Sequence, residues 1–292
     1  MRLCALMACF NRRALTLASL AALQESSSRV GVALQAVLVD DGSSDGTAEA
    51  VRARFPWVQV HVNQGPPLFW CRAMHRALES ARAADHDLYL LLNDDTLLDP
   101  DAIERLLSCS AALQAAHRAA LVVGSTRDAM TGRWSYGGER RLSQWRPVRF
   151  TPVEPAGEPK KADTFDGNIV LLPRLVVQTL GNLDPYFEHG LGDTDYGLRA
   201  TKAGIGVWVA PGFYGTCSWN SMEKTYLDPQ WPSALRWKHM LSRKGLPWRS
   251  WQHFTRRHAS LLWPVYFASP YARVLWSMAS QWLRGNASRR AR

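Results

Sequence analysis

Four short apolar runs, residues 3–10, 35–39, 58–62 and 88–92, open the chain, and each is followed by residues whose apolar positions recur at helical spacing, as Leu15, Leu17, Leu20 and Leu23 do. That rhythm predicts strands alternating with helices. Strands apolar along nearly their whole length need cover on both faces, which points to a mainly parallel sheet flanked by helices, joined by right-handed crossovers. After residues 121–124 the pattern changes. Residues 134–140 and 148–153 read as antiparallel strands, and the polar, Pro-containing segment 154–163 reads as a mobile loop. An apolar run at 165–172, a helix at 191–203 stopped by Gly204 and a strand at 206–211 follow. The remainder reads as helical, broken at Pro232, Pro247, Pro264 and Pro270, and no internal repeat is present.

Sheets of this kind bind ligands beyond the carboxyl ends of their strands. The residues ending the four strands are Asn11, then Asp40 and Asp41, then Asn63, then Asn93, Asp94 and Asp95. Asp40, in VLVDDGSSDGT (37–47), is placed to accept a hydrogen bond from a ligand donor such as a uracil or thymine N3–H, although a βα turn with an Asp, Ser43 or Ser44 cap reads equally from the same residues. In LYLLLNDDTLLDP (88–100), two adjacent carboxylates repel one another unless a cation neutralises them. Oxygen donors of this type suit Mg²⁺ or Mn²⁺, which also grip the oxygens of a diphosphate. Strand alternation puts Asn93 and Asp95 on one face and Asp94 on the other, making Asp95 the metal ligand with Asn93 in support, while a cap of the next turn by Asp94 and Asp95 reads from the same residues. Asp99 ahead of Pro100 reads as the cap of the next helix.

Charge divides the 292 residues. Residues 229–292 hold twelve Lys and Arg and no acid, whereas residues 1–228 carry 23 against 25. We therefore expect two parts, a sheet domain at 1–228 and a basic helical extension at 229–292. Seven of the thirteen tryptophans lie in the extension, and cations mixed with amphipathic rings suit an anionic membrane surface. No apolar run is long enough for a spanning helix. Asn11, Arg12 and Arg13 interrupt the first apolar run after eight residues, whereas a signal places its basic residues ahead of a longer run, so residues 3–10 read as a strand and not a signal. Five scattered cysteines without a C-x-x-C pair fit neither a disulfide framework nor a zinc site, and a reducing cytoplasm is the expected compartment.

These motifs together resemble family 2 of the glycosyltransferases. Asp40 in VDDGSSDGT, Asn63-Gln64-Gly65 after the third strand, and LLNDDT where the family has D-x-D occur in the family's order, with Asn93 replacing the first acid. The resemblance covers residues 2–213 and implies a Rossmann-like GT-A fold, a nucleotide-diphospho-sugar donor, a divalent Mn or Mg ion and inversion at the sugar. It further implies that Asp193, in GDTDYGLR (192–199) where the family often shows E-D-x-D, is the catalytic base. Gly192 stands where the Glu would be. Asp195 and Arg199 are spaced as an i,i+4 ion pair. Gly167 and Asn168 resemble the segment lining the sugar pocket, and Trp70 and Cys71 lie where the family contacts its donor. Asn11, Asp40, Asn63, Asn93, Asp94, Gly167 and Asn168 are thus the expected donor-binding residues, Asp95 the metal ligand and Asp193 the base.

The acceptor implied is a glycan or lipid-linked hydroxyl. A sugar nucleotidyltransferase would need a Gly-rich phosphate loop after the first strand, which ACFNRRALT lacks. A nucleic-acid module built on the basic tail has no recognisable nucleic-acid fold beside it. A nucleotide-sugar binder with weakened catalysis is the remaining alternative, raised by Asn93 and Gly192.

Overall fold

The computed structural model describes residues 1–84, 86–116, 119–219 and 221–290, with side chains as far as residue 281. Trp282 and the arginines beyond it therefore have side chains outside the described residues. Two compact units divide the chain, one of Met1–Leu142 with Phe150–Trp219, the other of Ser143–Arg149 with Asn220–Arg292.

In the first unit, β1 (Arg2–Cys9), α1 (Arg13–Ser28), β2 (Ala33–Asp40), α2 (Thr47–Arg54), β3 (Val58–Val62), α3 (Phe69–Arg82) and β4 (Leu88–Leu92) alternate as the apolar rhythm requires. After β5 (Leu97–Leu98), α4 (Ala102–Ala116), β6 (Ala120–Arg127), β7 (Trp134–Tyr136), β8 (Gly138–Ser143), β9 (Arg146–Val153), β10 (Lys160–Ala162), β11 (Thr164–Phe165), β12 (Ile169–Pro173), α5 (Arg174–Leu180), α6 (Gly192–Lys202) and β13 (Gly206–Thr216) follow. The main sheet runs β10-β13-β6-β12-β4-β1-β2-β3. Pairs β1–β2, β1–β4, β2–β3 and β6–β13 are parallel, and β12 enters antiparallel between β4 and β6. Strand β4 is buried at all five positions because strands flank both its edges and side chains cover both its faces, hence LYLLL without alternation. On α3 the buried residues Cys71, Met74, Leu78 and Ala81 recur at three to four positions and turn one stripe to the sheet.

Several expected boundaries shift. The run at 165–172 is divided by a turn at Asp166-Gly167-Asn168, leaving β11 in a separate sheet with β8 and β9. Residues 134–140 likewise divide into β7 and β8, in different sheets. The expected loop 154–163 contributes β10, which pairs with β13. Strand β13 runs to Thr216, five residues beyond expectation, and delivers Cys217 to the candidate site.

The second unit contains residues 143–149, which end β8 and begin β9, together with α7 (Ser233–Leu241), α8 (Trp248–His258) and α9 (Trp263–Arg290). Pro232 and Pro247 stand just ahead of α7 and α8, and Pro264 is in the first turn of α9, where a missing N–H costs nothing. Pro270 does not break α9 as expected. The carbonyl of Tyr266, which a residue at 270 would normally engage, instead accepts the Ser269 hydroxyl at 3.2 Å. No helix among the described residues is long and apolar enough to cross a membrane.

Candidate active site

The strand ends are joined by polar side chains that shape the turns. Asn11 adopts φ 50°, a left-handed conformation that asparagine tolerates. Its N–H donates to Ser43 Oγ (2.9 Å) and its Oδ1 accepts the Ser44 N–H (2.8 Å). Asp45 accepts the backbone N–H groups of Arg13 and Thr47, tying the starts of α1 and α2 together. Asp40 is fully buried, with Oδ1 accepting the Ser43 N–H at 2.7 Å and Oδ2 left without a partner. Its neighbour Asp41, to which the sequence reading gave no role, takes the N–H groups of Leu68 and Phe69 and the amide of Asn63 at 2.8–3.0 Å. Asn63 also donates to the Pro66 carbonyl (2.9 Å). Asn11 and Asn63 thus organise loops.

Beyond β4 the strand alternation fails, because the chain turns immediately after Leu92. Asp94 and Asp95, expected on opposite faces, both meet the Arg12 guanidinium, whose Nη1 lies 3.2 Å from Asp94 Oδ1 and 2.6 Å from Asp95 Oδ2. Burial pushes the Asp94 carboxyl up to about 6 against the opposing pull of Arg12, and its Oδ2 has no hydrogen-bond partner. Asp95 Oδ1 accepts a long contact from the Cys217 thiol (3.5 Å), and Asn168 Nδ2 donates to the same sulfur (3.3 Å). Burial, then the Asp95 charge, raises Cys217 to about 12, so it remains a thiol at neutral pH. Asp99 caps no helix by its side chain; it forms a two-pronged pair with Arg127 at 2.9–3.0 Å.

Asn93 faces neither acid's partner. Its Oδ1 accepts the indole N–H of Trp70 at 2.7 Å. The other end of that indole lies on Gly167, where a Cβ would fall 2.5 Å from two ring carbons. Gly167 in turn donates its N–H to Asp193 Oδ2 (3.1 Å), while Asp193 Oδ1 accepts the Thr194 N–H (2.8 Å). Trp70 therefore spans from the acidic strand end to Asp193, and any side chain at 167 would displace it. Burial raises the Asp193 pKa, and the two N–H donors oppose the shift.

Two further carboxylates share this environment. Glu139 is pushed up to about 7 by burial and then by the Asp193 charge. Asp166, whose Oδ2 accepts the Gly137 N–H at 3.1 Å, is raised well above its ordinary value by burial, then by Glu139 and Asp193. No spacing in the sequence signals either residue, since β8 and the β11–β12 turn bring them in from a second sheet. Asp195 has a structural role, being fully buried against Arg199 at 2.9 Å.

Gly192 lies against Cys71, where a Cβ would sit 2.2 Å from Sγ and 2.9 Å from Cβ. The close packing of α6 on α3 thus excludes a side chain at 192. Gly192→Ala is expected to lower stability by about 1–3 kcal/mol in denaturant titrations, with a smaller loss in a Cys71→Ala background, where the sulfur is gone. Equal losses in both backgrounds would show that this contact is not the cause.

Among the described residues no group of three or more His, Cys, Asp or Glu side chains is arranged to hold a metal. The donor set still fits a hard divalent ion: Asp95 and Asp94 converge, Asp94 Oδ2 is buried without a partner, and oxygen ligands of a bound diphosphate would complete the coordination.

The family model described as "Glycosyltransferase like family 2" matches residues 2–237. No curated protein sequence matches the chain. Among solved structures, the chain is similar to Staphylococcus aureus TarS 1–349 (TM-score 0.52, 12% identity, 75% of this chain and 60% of that one). It is also similar to the mannosyltransferase PcManGT of Pyrobaculum calidifontis, in complex with GDP-Man and Mn²⁺ (0.52, 17%, 98% and 75%). A third similar structure is GalNAc-T7 with UDP, GalNAc and Mn²⁺ (0.56, 14%, 82% and 47%). The chain thus spans less than two thirds of the TarS and GalNAc-T7 structures, and at these identities the likeness is one of fold, a GT-A architecture.

Proposed function

The chain belongs to the glycosyltransferase-like family 2, and on that premise we propose that it is an inverting hexosyl- or deoxyhexosyltransferase acting on a nucleotide-diphospho-sugar. The observation that carries this reading is the linkage Asn93–Trp70–Gly167–Asp193, which ties the acidic strand end to a carboxylate held by two backbone N–H groups. An acceptor hydroxyl would give its proton to Asp193 as its oxygen bonds to the sugar C1. The C1–oxygen bond to the diphosphate breaks in the same displacement, and its electron pair leaves with the nucleoside diphosphate. Burial that raises the Asp193 pKa makes it a stronger base than a solvated carboxylate.

Asp95, with Asp94, would hold a divalent cation, Mn or Mg, which when bound offsets the charge developing on the diphosphate. Arg12, already seated on both carboxylates, is placed to contribute positive charge beside them. Asn11, Asp40 and Asn63 shape the nucleotide end of the donor site, and Gly167 and Asn168 the sugar end.

The acceptor we infer is a glycan or lipid-linked hydroxyl in bacterial surface polysaccharide or glycolipid synthesis, met at the inner face of the membrane. Support comes from the basic, Trp-rich C-terminal unit and from five buried free cysteines, which suit a reducing cytoplasm. A second reading, a nucleotide-sugar binder with weakened turnover, draws on Arg12 lying across the two acids and on Asn93 in place of an acid.

Calorimetric binding and donor hydrolysis across UDP-, dTDP- and GDP-sugars, with Mn²⁺, Mg²⁺ or EDTA, test the proposal. Preference for one nucleotide, weaker binding in EDTA and slow hydrolysis are expected. Binding without hydrolysis or transfer would favour the second reading, and no binding to any donor would overturn both.

A further inference from the structure

The second unit holds a cavity of about 500 Å³ whose lining includes Arg146, Arg149, Arg273, Tyr226, Trp251 and Tyr266. Its walls are fixed by hydrogen bonds: Tyr266 Oη donates to the Trp145 carbonyl (2.7 Å) and the Trp251 indole to the Phe267 carbonyl (3.1 Å). Residues 265, 266, 269 and 273, which all line it, recur at helical spacing and so present one face of α9. Among the described residues none of the three arginines forms a salt bridge, which leaves three guanidinium groups without a counter-charge at one cavity. A cavity in the first unit, lined by Arg29, Asp99, Asp101, Arg105 and Arg127, differs in this respect, since Arg105 and Arg127 are paired with its own Asp101 and Asp99 and Arg29 is paired with Glu25.

The surroundings of the arginine cavity are apolar. Trp145 and Val265, both lining it, are 82% and 62% exposed, and Leu261, in the turn just ahead of α9, is 95% exposed. Solvating aliphatic side chains beside three arginines is costly, and one environment relieves both features: a layer with phosphate above and hydrocarbon below. Across this unit fifteen Lys and Arg face two acids, Glu223 and Asp228. Nucleic acid would meet the charge but offers nothing to cover Leu261 and Val265.

We propose that this cavity binds the phosphate of an anionic phospholipid headgroup through Arg146, Arg149 and Arg273, with Trp145, Leu261 and Val265 entering the apolar layer beside it. This rests on the reading that the C-terminal unit meets a membrane, and it assigns that contact to one site instead of a diffuse basic surface.

Sedimentation of the full chain with phosphatidylcholine vesicles, with and without phosphatidylglycerol, tests it. Wild type is expected to favour the phosphatidylglycerol vesicles. The triple variant Arg146→Ala, Arg149→Ala, Arg273→Ala is expected to lose affinity on the order of a hundredfold, from about 1 kcal/mol per cation. A control removing equal charge elsewhere, Arg243→Ala, Lys244→Ala, Arg249→Ala, is expected to lose several-fold less. Leu261→Ser, at a fully solvated position, lowers binding without changing charge or fold. Equal losses in the two triple variants would overturn the site while leaving membrane contact intact; absence of wild-type vesicle binding would overturn membrane contact itself. Binding of glycerol phosphate or of an oligonucleotide as strong as that of the vesicles would also overturn the proposal. Donor hydrolysis, measured in parallel, is expected to be unchanged in every variant, so failure here is separable from failure of the transferase reading.

Discussion

Asp193→Asn is expected to lower kcat for sugar transfer by about 10³-fold, within the range a positioned general base supplies, while donor affinity stays within about twofold. The amide keeps a nearly identical shape but only one oxygen, so it accepts the N–H of either Thr194 or Gly167 and sets its NH2 against the other, at a local cost to the first turn of α6. The ability to take the acceptor's proton is lost together with one of these two hydrogen bonds, and the loss of basicity is what acts on kcat. The pH profile gives an independent reading. Burial raises the Asp193 pKa, so the base is protonated, and idle, at pH values where a solvated carboxylate would be ionised. Wild-type activity is therefore expected to rise with pH along a limb displaced to higher pH from the ordinary value of 3.8, and the residual activity of the variant to lack that limb. Near pH 7 the ionisation of Glu139 adds negative charge close to Asp193 and strengthens it as a base. Lost donor binding with an unchanged acid limb would instead assign Asp193 to capping α6.

Asp95→Ala is expected to reduce kcat/KM by at least about 10²-fold, the several kcal/mol a divalent ion supplies to a developing oxyanion being withdrawn along with its principal ligand. Metal titration of the protein followed by Mn²⁺ paramagnetic resonance gives a readout apart from turnover, and free Mn²⁺ is expected to persist at concentrations where wild type binds it. Removing Asp95 also deletes one of the two carboxylates under Arg12, leaving that guanidinium to Asp94 alone. Wild type with no difference between Mn²⁺ and EDTA, together with unchanged donor affinity in the variant, would show that Arg12, and not a metal, supplies the positive charge at this strand end.

Local sequence carried the first half of the fold well because its signal is burial. Strand β4 reads LYLLL because every position is covered, and α3 shows its stripe because only one side is covered. The same signal weakened where elements were short. Residues 165–172 read as one run, yet the Gly167 turn breaks it, and an apolar count cannot register a turn two residues from either neighbour. Alternation was the wrong rule for Asp94 and Asp95 because it holds only while the backbone stays extended.

The sequence by itself determined the alternation of strand and helix, the polar residues at the carboxyl ends of the strands, the acidic start of α6 and the concentration of basic charge towards the C-terminus. Each is written in neighbouring residues, through period, turn chemistry or composition. The tertiary structure alone decided that Trp70 joins Asn93 to Gly167, that Arg12 bridges Asp94 and Asp95, that Cys217 reaches Asp95, and that Glu139 and Asp166 share the environment of Asp193. These contacts join segments distant in the chain through sheet order and register. Period and spacing describe which way a side chain leaves its own element, whereas the partner it meets depends on which strand lies alongside and where that strand ends.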